Sequence, residues 1–185
     1  MLGNLRLTTA VGWVSLGALV SALSAPTGTN FTPHGDNRNG RIPIWKRSSQ
    51  EVITRLNLTA NPEKGYFFET FRDAGVVNNN RSASTAIYYL LEGSAGSSLW
   101  HRIDTVEVWH YYAGSPLVLS LSHDDGQPTR QEVLGPDVFD GQRPQVIVSG
   151  WEWQSATSLG DWTLVGTTGT FGLEFKSPAC RHSPF

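Results

Sequence analysis

The chain holds one cysteine, Cys180, among 185 residues. A single thiol excludes an internal disulfide, and no Cys/His cluster has the spacing of a structural zinc site, so stability has to come from packing. Charge of one sign is also missing: 14 Lys plus Arg against 16 Asp plus Glu leave a formal net charge of -2. With no positive field to attract a polyanion, nucleic acid is excluded as a partner. The one extended apolar run, broadly Ala10 to Leu23, falls short of the roughly 18 residues that a spanning helix needs, and no stable membrane insertion is expected. Aromatic area, by contrast, is plentiful: seven Trp, eight Phe and five Tyr. Trp and Tyr bring large apolar faces with one polar group that wants a partner, which suits a wide apolar cavity or interface, or simply a filled core.

The N-terminal stretch "MLGNLRLTTAVGWVSLGALVSALSA" has one basic residue, Arg6, then the apolar run, then small residues. Residues 1–22 therefore read as a secretory signal, with Val20 and Ala22 fitting the small-residue cleavage rule and Pro26 arguing against a cut after Ala25. The expected localisation is the secretory pathway or outside the cell, the alternative being an intracellular chain with an uncleaved N-terminus. Sequons at Asn30, Asn57 and Asn80 fit the first route. Residues 23–48 read as an extended arm, because "PTGTNFTPHGDNRNGRIPIWKR" is rich in Gly, Asn, Pro and Arg and has no sustained period. The main domain is expected over 49–178, with a tail at 179–185.

One helix is predicted from Ser49, as cap-like residue, to about Leu58, on the spacing of Val52, Ile53 and Leu56. Everything beyond it reads as strands: 65–72, 84–92, 99–103, 107–114, 117–122, 129–135, 144–150, 152–157, 162–169 and 172–176, punctuated by turns such as "DDGQP" and "DGQRP". Nine or ten short strands behind one helix predict a sandwich or small barrel, not a doubly wound fold.

The stretch "HRIDTVEVWHYYAG" at 101–114 places two histidines and two carboxylates within ten positions. Imidazole and carboxylate are ligands for a divalent transition metal when three or four converge. His101 and Glu107 meet that need if a turn joins them. Strand alternation puts Glu107, Trp109 and Tyr111 on one face and Val108 and His110 on the other, and Asp104 reads first as a turn residue.

His101, Glu107 and Gly114 stand at the spacing of the first histidine, the glutamate and the terminal glycine of the first cupin motif, with Ile103 in place of its second histidine. In the second motif Val148, Gly150 and Trp153 stand where proline, glycine and histidine are usual. The blocks "NPEKGYFFETFR", "STAIYYLLEG", "SLWHRIDTVEVWHYYAGSPL", "GQRPQVIVSGWEWQSA" and "WTLVGTTGTFGLEF" occur in order. Over about Glu51 to Phe175 the chain thus resembles the cupin branch catalogued as a domain of unknown function, DUF985 or cupin 5. The resemblance implies an all-β cupin double-stranded β-helix, a jelly-roll barrel with one short N-terminal helix, and a homodimer. Two of the four usual metal ligands are replaced. Lys64 stands where the family usually has glycine, Ser149 where it has proline, and Thr170, Phe171 and Gly172 supply only part of a "PGF" segment.

Three residues are the catalytic candidates. His101 and Glu107 are the polar pair suited to general acid–base chemistry, unless Glu107 only orients His101 in a buried network. Glu69 shares parity with Phe67 and Phe71, so it reads as a buried functional carboxylate or as the partner of an arginine such as Arg102; three positions on, Arg72 is expected on the opposite side of the strand. Arg72 is a candidate clamp for an anionic substrate. Tyr89 and Tyr111 are candidate donors to an oxyanion, with Phe67, Trp109, Trp153 and Phe171 as apolar binding residues. The leading expectation is a metal-independent isomerase, epimerase, dehydratase or cyclase acting on a small oxygenated metabolite, with no cofactor. The alternatives are a non-catalytic binding protein for a sugar or secondary metabolite, and a metal-dependent oxygenase or isomerase with a divalent ion at His101 and Glu107.

Overall fold

A computed structural model describes residues 42–77 and 81–170. Helix α1 spans Ser49–Leu56; it starts at the expected residue and ends about two residues sooner, and its N-cap is Ser48 rather than Ser49. The Ser48 hydroxyl accepts from the Glu51 N–H while the Glu51 carboxylate accepts from the Ser48 N–H, a capping box that satisfies two orphan donors. Ser49 instead donates to Glu92 at 2.6 Å. Asn57, in the left-handed conformation at φ 54°, ends the helix before Leu58. The Asn57 sequon is exposed there, while those at Asn30 and Asn80 lie outside the described residues, as do the 1–22 segment and the tail.

Eleven strands follow among the described residues: β1 (Thr59–Ala60), β2 (Tyr66–Arg72), β3 (Val76–Val77), β4 (Arg81–Ser82), β5 (Ser84–Glu92), β6 (Glu107–Gly114), β7 (Leu117–Ser122), β8 (Arg130–Leu134), β9 (Gln145–Val148), β10 (Trp153–Ser158) and β11 (Trp162–Thr170). They form a six-stranded sheet in the order β1-β2-β5-β11-β6-β9, a three-stranded sheet β10-β7-β8 and the small β3-β4 pair, with every pairing antiparallel. The strand expected at 99–103 is reduced to a single bridge between His101 and Gln154, and 172–176 lies outside the described residues.

The two larger sheets enclose one core, as a jelly roll does. Ile87, Tyr89, Trp109, Val146 and Val165 from the six-stranded sheet pack with Leu117, Leu119, Leu121, Leu134 and Ala156 from the three-stranded one. Each of those four leucines is essentially inaccessible, and full burial of such a side chain is worth about 1.5–3 kcal/mol. On the outer face, α1 lays Val52 and Ile53 against Leu90, Ala113, Trp162 and Leu164. Period-two alternation thus sends odd positions of β11 inward and even ones outward.

Two bulges decide which side chains reach the interior. In β2 the register shifts between Glu69 and Phe71, so Thr70 is an extra residue. In β6 the register shifts opposite Leu164/Val165, which leaves Tyr112 extra. The second bulge comes after His110 and does not turn that residue inward. His110 stays outside, stacked on Tyr112 and bonded to Thr168 and Gln145.

Candidate functional site

The inner face of the large sheet reads in rows across its register: Phe67, Tyr89, Val165, Tyr111, and next to it Glu69, Ile87, Thr167, Trp109, Val146. Across the barrel, β10 contributes Gln154, which is fully buried. Its bridge to His101, with N–H to carbonyl bonds of 2.8 and 3.1 Å in the two directions, puts His101 on the inner face as well.

Glu107 is 4% exposed. One of its oxygens, Oε2, accepts from Trp109 Nε1 at 3.1 Å and from Gln154 Nε2 at 2.8 Å. The same indole N–H lies 2.9 Å from Gln154 Oε1, so carboxylate, amide and indole form a closed triangle. A buried carboxylate with two donors on one oxygen is held in a single orientation.

His101 has a different carboxylate beside it. Its Nδ1 lies 3.2 Å from Glu63 Oε2 and 3.2 Å from the Leu99 carbonyl oxygen. A carbonyl only accepts, so Nδ1 carries the proton and Nε2 of the neutral ring holds the lone pair. Burial pushes the Glu63 carboxyl above its ordinary value; the His101 charge opposes this and the Glu107 charge adds to it. Burial, followed by the Glu63 charge, likewise raises the Tyr89 phenol. Glu63, Tyr89, His101 and Glu107 therefore belong to one electrostatic neighbourhood. Glu63 is the residue that sequence reasoning missed. It sits in the block "NPEKGYF", where Asn61 Oδ1 accepts from its N–H at 2.8 Å and its carbonyl accepts from Leu99. A carboxylate inside a turn that precedes an inward strand was the available signal.

That turn also explains one family departure. Lys64 takes φ 77° and Gly65 φ 70°, a left-handed pair that glycine adopts at least cost. Lys64 offsets part of the cost by donating its ammonium to the Ala95 and Ser97 carbonyls. At the second departure, the Ser149 N–H donates to Glu152 at 3.1 Å, which proline could not do. Glu152, 1% exposed, is a further residue unforeseen in the sequence; Arg130 reaches both of its oxygens, at 3.2 and 3.3 Å.

Other expected site residues fall elsewhere. Glu69 and Arg72 do not face opposite sides: the Thr70 bulge restores them to one side, where they form a two-bond ion pair of 2.9 and 2.6 Å. Both are exposed, so Glu69 is not a carboxylate buried among apolar neighbours, and its arginine is Arg72 rather than Arg102. Phe67 and Tyr111 pack partly against the core, and Tyr89 and Trp109 are buried in it, their rings edge to face at 6.0 Å. Neither phenol is free to donate to an oxyanion, because Tyr89 donates to the Lys64 carbonyl at 3.1 Å and Tyr111 to that of Gly114 at 2.6 Å. Trp153 is not a cavity wall. Gln154 and Ala156 point inward, so alternation places Trp153 on the outer face of β10, under the Arg102 guanidinium. Phe171 lies outside the described residues, and Asp104 pairs with Arg81.

The donor set does not fit a divalent metal. Two of the four motif positions carry Ile103 and Trp153, Glu107 already receives two donors on one oxygen, and among the described residues no group of three or more His, Cys, Asp or Glu could hold an ion. A surface cleft of about 790 Å³ along α1, lined by Ile42, Ile44, Arg47, Val52 and Leu56 among others, shares no residue with the cluster. Among the described residues no helix is long and apolar enough to cross a membrane.

A family model described as "Cupin superfamily (DUF985)" matches residues 50–179. The solved structure of a hypothetical protein from Leishmania major is 28% identical, with a TM-score of 0.64, over 70% of this chain and 84% of that one. A crystal structure of a Shewanella oneidensis protein is 26% identical, with a TM-score of 0.65, over 70% of this chain and 81% of that one. No curated protein matches the chain.

Proposed function

The chain belongs to the DUF985 family of the cupin superfamily, and from that premise we propose that it is a metal-independent enzyme of the isomerase, epimerase, dehydratase or cyclase type, moving a proton on a small oxygenated metabolite. The observation that carries this reading is the Glu63–His101 pair inside the barrel. His101 is the base through Nε2. Glu63 holds its tautomer and stabilises the imidazolium once the ring takes a proton, as a carboxylate behind a histidine does elsewhere. Glu107, fixed by Trp109 and Gln154, supplies a second carboxylate in the same apolar surroundings, suited to a substrate hydroxyl. A homodimer in the secretory pathway is part of the same proposal, supported by the family resemblance and by the signal-like residues 1–22.

One observation favours a second reading, a binding protein without chemistry: both tyrosine hydroxyls already donate to backbone carbonyls. Native mass spectrometry of the purified full chain, with metals quantified on the same sample, separates the readings. A metal-free protein carrying an organic molecule is expected, and that molecule is then the substrate to assay. His101→Ala should lower its turnover about 10²-fold or more. A stoichiometric transition metal, or turnover indifferent to His101, rejects the enzyme as proposed; a molecule bound and never converted selects the second reading.

A further inference from the structure

Outside the barrel, on the opposite side of β10 from the acid–base cluster, stands a group with no part in the chemistry above. Trp151 is 60% exposed, yet its backbone is left-handed at φ 65°. For a bulky side chain that conformation is an outlier which glycine would relieve, and such strain concentrates at functional positions. The surroundings impose it. The Trp151 N–H donates to the Ile103 carbonyl at 2.6 Å, and a Cβ at Gly150 would lie 3.1 Å from the Asp104 carbonyl oxygen, so loops 149–152 and 101–105 are pinned together.

Arg102 lies over both indoles, its guanidinium carbon 5.5 Å from the Trp151 ring centre and 4.8 Å from that of Trp153. It is exposed and has no hydrogen bond or ion pair among the described residues. A guanidinium oriented by ring faces, with its N–H fork unclaimed, is prepared for a planar oxyanion. From Trp153 the outer face of the three-stranded sheet continues past the buried Ser122 and Ser155 to Thr157, which shares a hydrogen bond with Ser97, and to Ser120 and Gln131, whose amide reaches the Ser120 hydroxyl at 3.5 Å.

We propose that this face binds an acidic saccharide of the uronate type. The exposed Trp151 ring takes the C–H face of a sugar, Arg102 takes the ring carboxylate in a two-bond geometry, and the adjoining hydroxyls and amide suit neighbouring sugar hydroxyls. A neutral sugar lacks the group that Arg102 selects. A flat aromatic acid lacks the hydroxyls that the rest of the face selects.

The test is calorimetric titration of the full chain with trigalacturonate, with galactotriose and benzoate as comparison probes. Trigalacturonate is expected to bind at least about tenfold tighter than either, and its affinity should fall with added salt. Arg102→Ala and Trp151→Gly should each weaken it about tenfold or more, while Trp151→Gly raises the thermal midpoint as the backbone strain is relieved. His101→Ala should bind trigalacturonate as the parent does, which keeps this site distinct from the interior one. Absence of binding up to about 10 mM, equal affinity for either comparison probe, unchanged affinity in Arg102→Ala, a lowered midpoint in Trp151→Gly, or loss of binding in His101→Ala would each overturn the proposal.

Discussion

Glu63 and Glu69 are six residues apart on the same segment, each paired with a basic side chain, and they differ in almost everything that matters for chemistry. Glu69 meets Arg72 through two short bonds at the exposed end of β2, where water screens the charges. Glu63 meets His101 in a largely enclosed position, where burial raises its carboxyl and a second carboxylate, Glu107, lies near. The better hydrogen-bond geometry belongs to the pair with the lesser chemical potential. Partner identity and distance do not make a catalytic carboxylate; the medium around the pair does.

The largest effect that sharpens this contrast comes from the triangle supporting the buried side. Trp109→Ala removes a buried ring, its contact with Tyr89 and both of its hydrogen bonds. It should lower stability by about 3–5 kcal/mol, read as a shifted urea midpoint. A cost near zero would mean that the interior is loosely packed and that Glu107 is not held.

Glu107→Ala comes next. It leaves one Gln154 amide N–H without its acceptor, while the Trp109 N–H keeps Gln154 Oε1, and about 1–3 kcal/mol is expected for the orphaned donor, in the same measurement.

The third prediction concerns pH. The Glu63 carboxyl is raised in the folded chain above its ordinary 4.5, so the folded state holds that proton more tightly than the unfolded state. Its contribution to stability is fully present below 4.5 and is lost as pH rises through the elevated value. Glu63→Gln should flatten that part of the stability profile in chemical denaturation across pH 4 to 8. A profile that Glu63→Gln leaves unflattened would break the comparison. The smallest effect belongs to the rim: Glu69→Gln should cost less than about 1 kcal/mol, and less still at high salt, because exposed ion pairs contribute little.

The shared inward face of Glu107, Trp109 and Tyr111, and the outward His110, were legible because β6 alternates cleanly as far as His110. The relation of Arg72 to Glu69 was misread because nothing in "FFETFR" announces an extra residue at Thr70, and one extra residue reverses the parity of everything after it, Arg72 included. Trp153 was misread for a related reason. A motif spacing placed it where a ligand belongs, whereas the register with β7 turns Gln154 inward instead. Glu63 was passed over because the turn in "NPEKGYF" marks a carboxylate ahead of an inward strand without naming its partner, and that partner, His101, comes 38 positions later in the chain.

The sequence by itself determined the architecture: apolar alternation and turn residues specify a strand-rich fold, and the ordered blocks identify its family, because periodicity is a local property of the chain. It also determined His101 and Glu107 as residues of interest. The tertiary structure alone decided which carboxylate serves His101, which arginine answers Glu69, and that Trp153 lies outside under Arg102. Those outcomes depend on bulges and cross-strand register. Such features shift side chains between faces through long-range pairing, at a free-energy cost too small to leave a signature in any short stretch of residues.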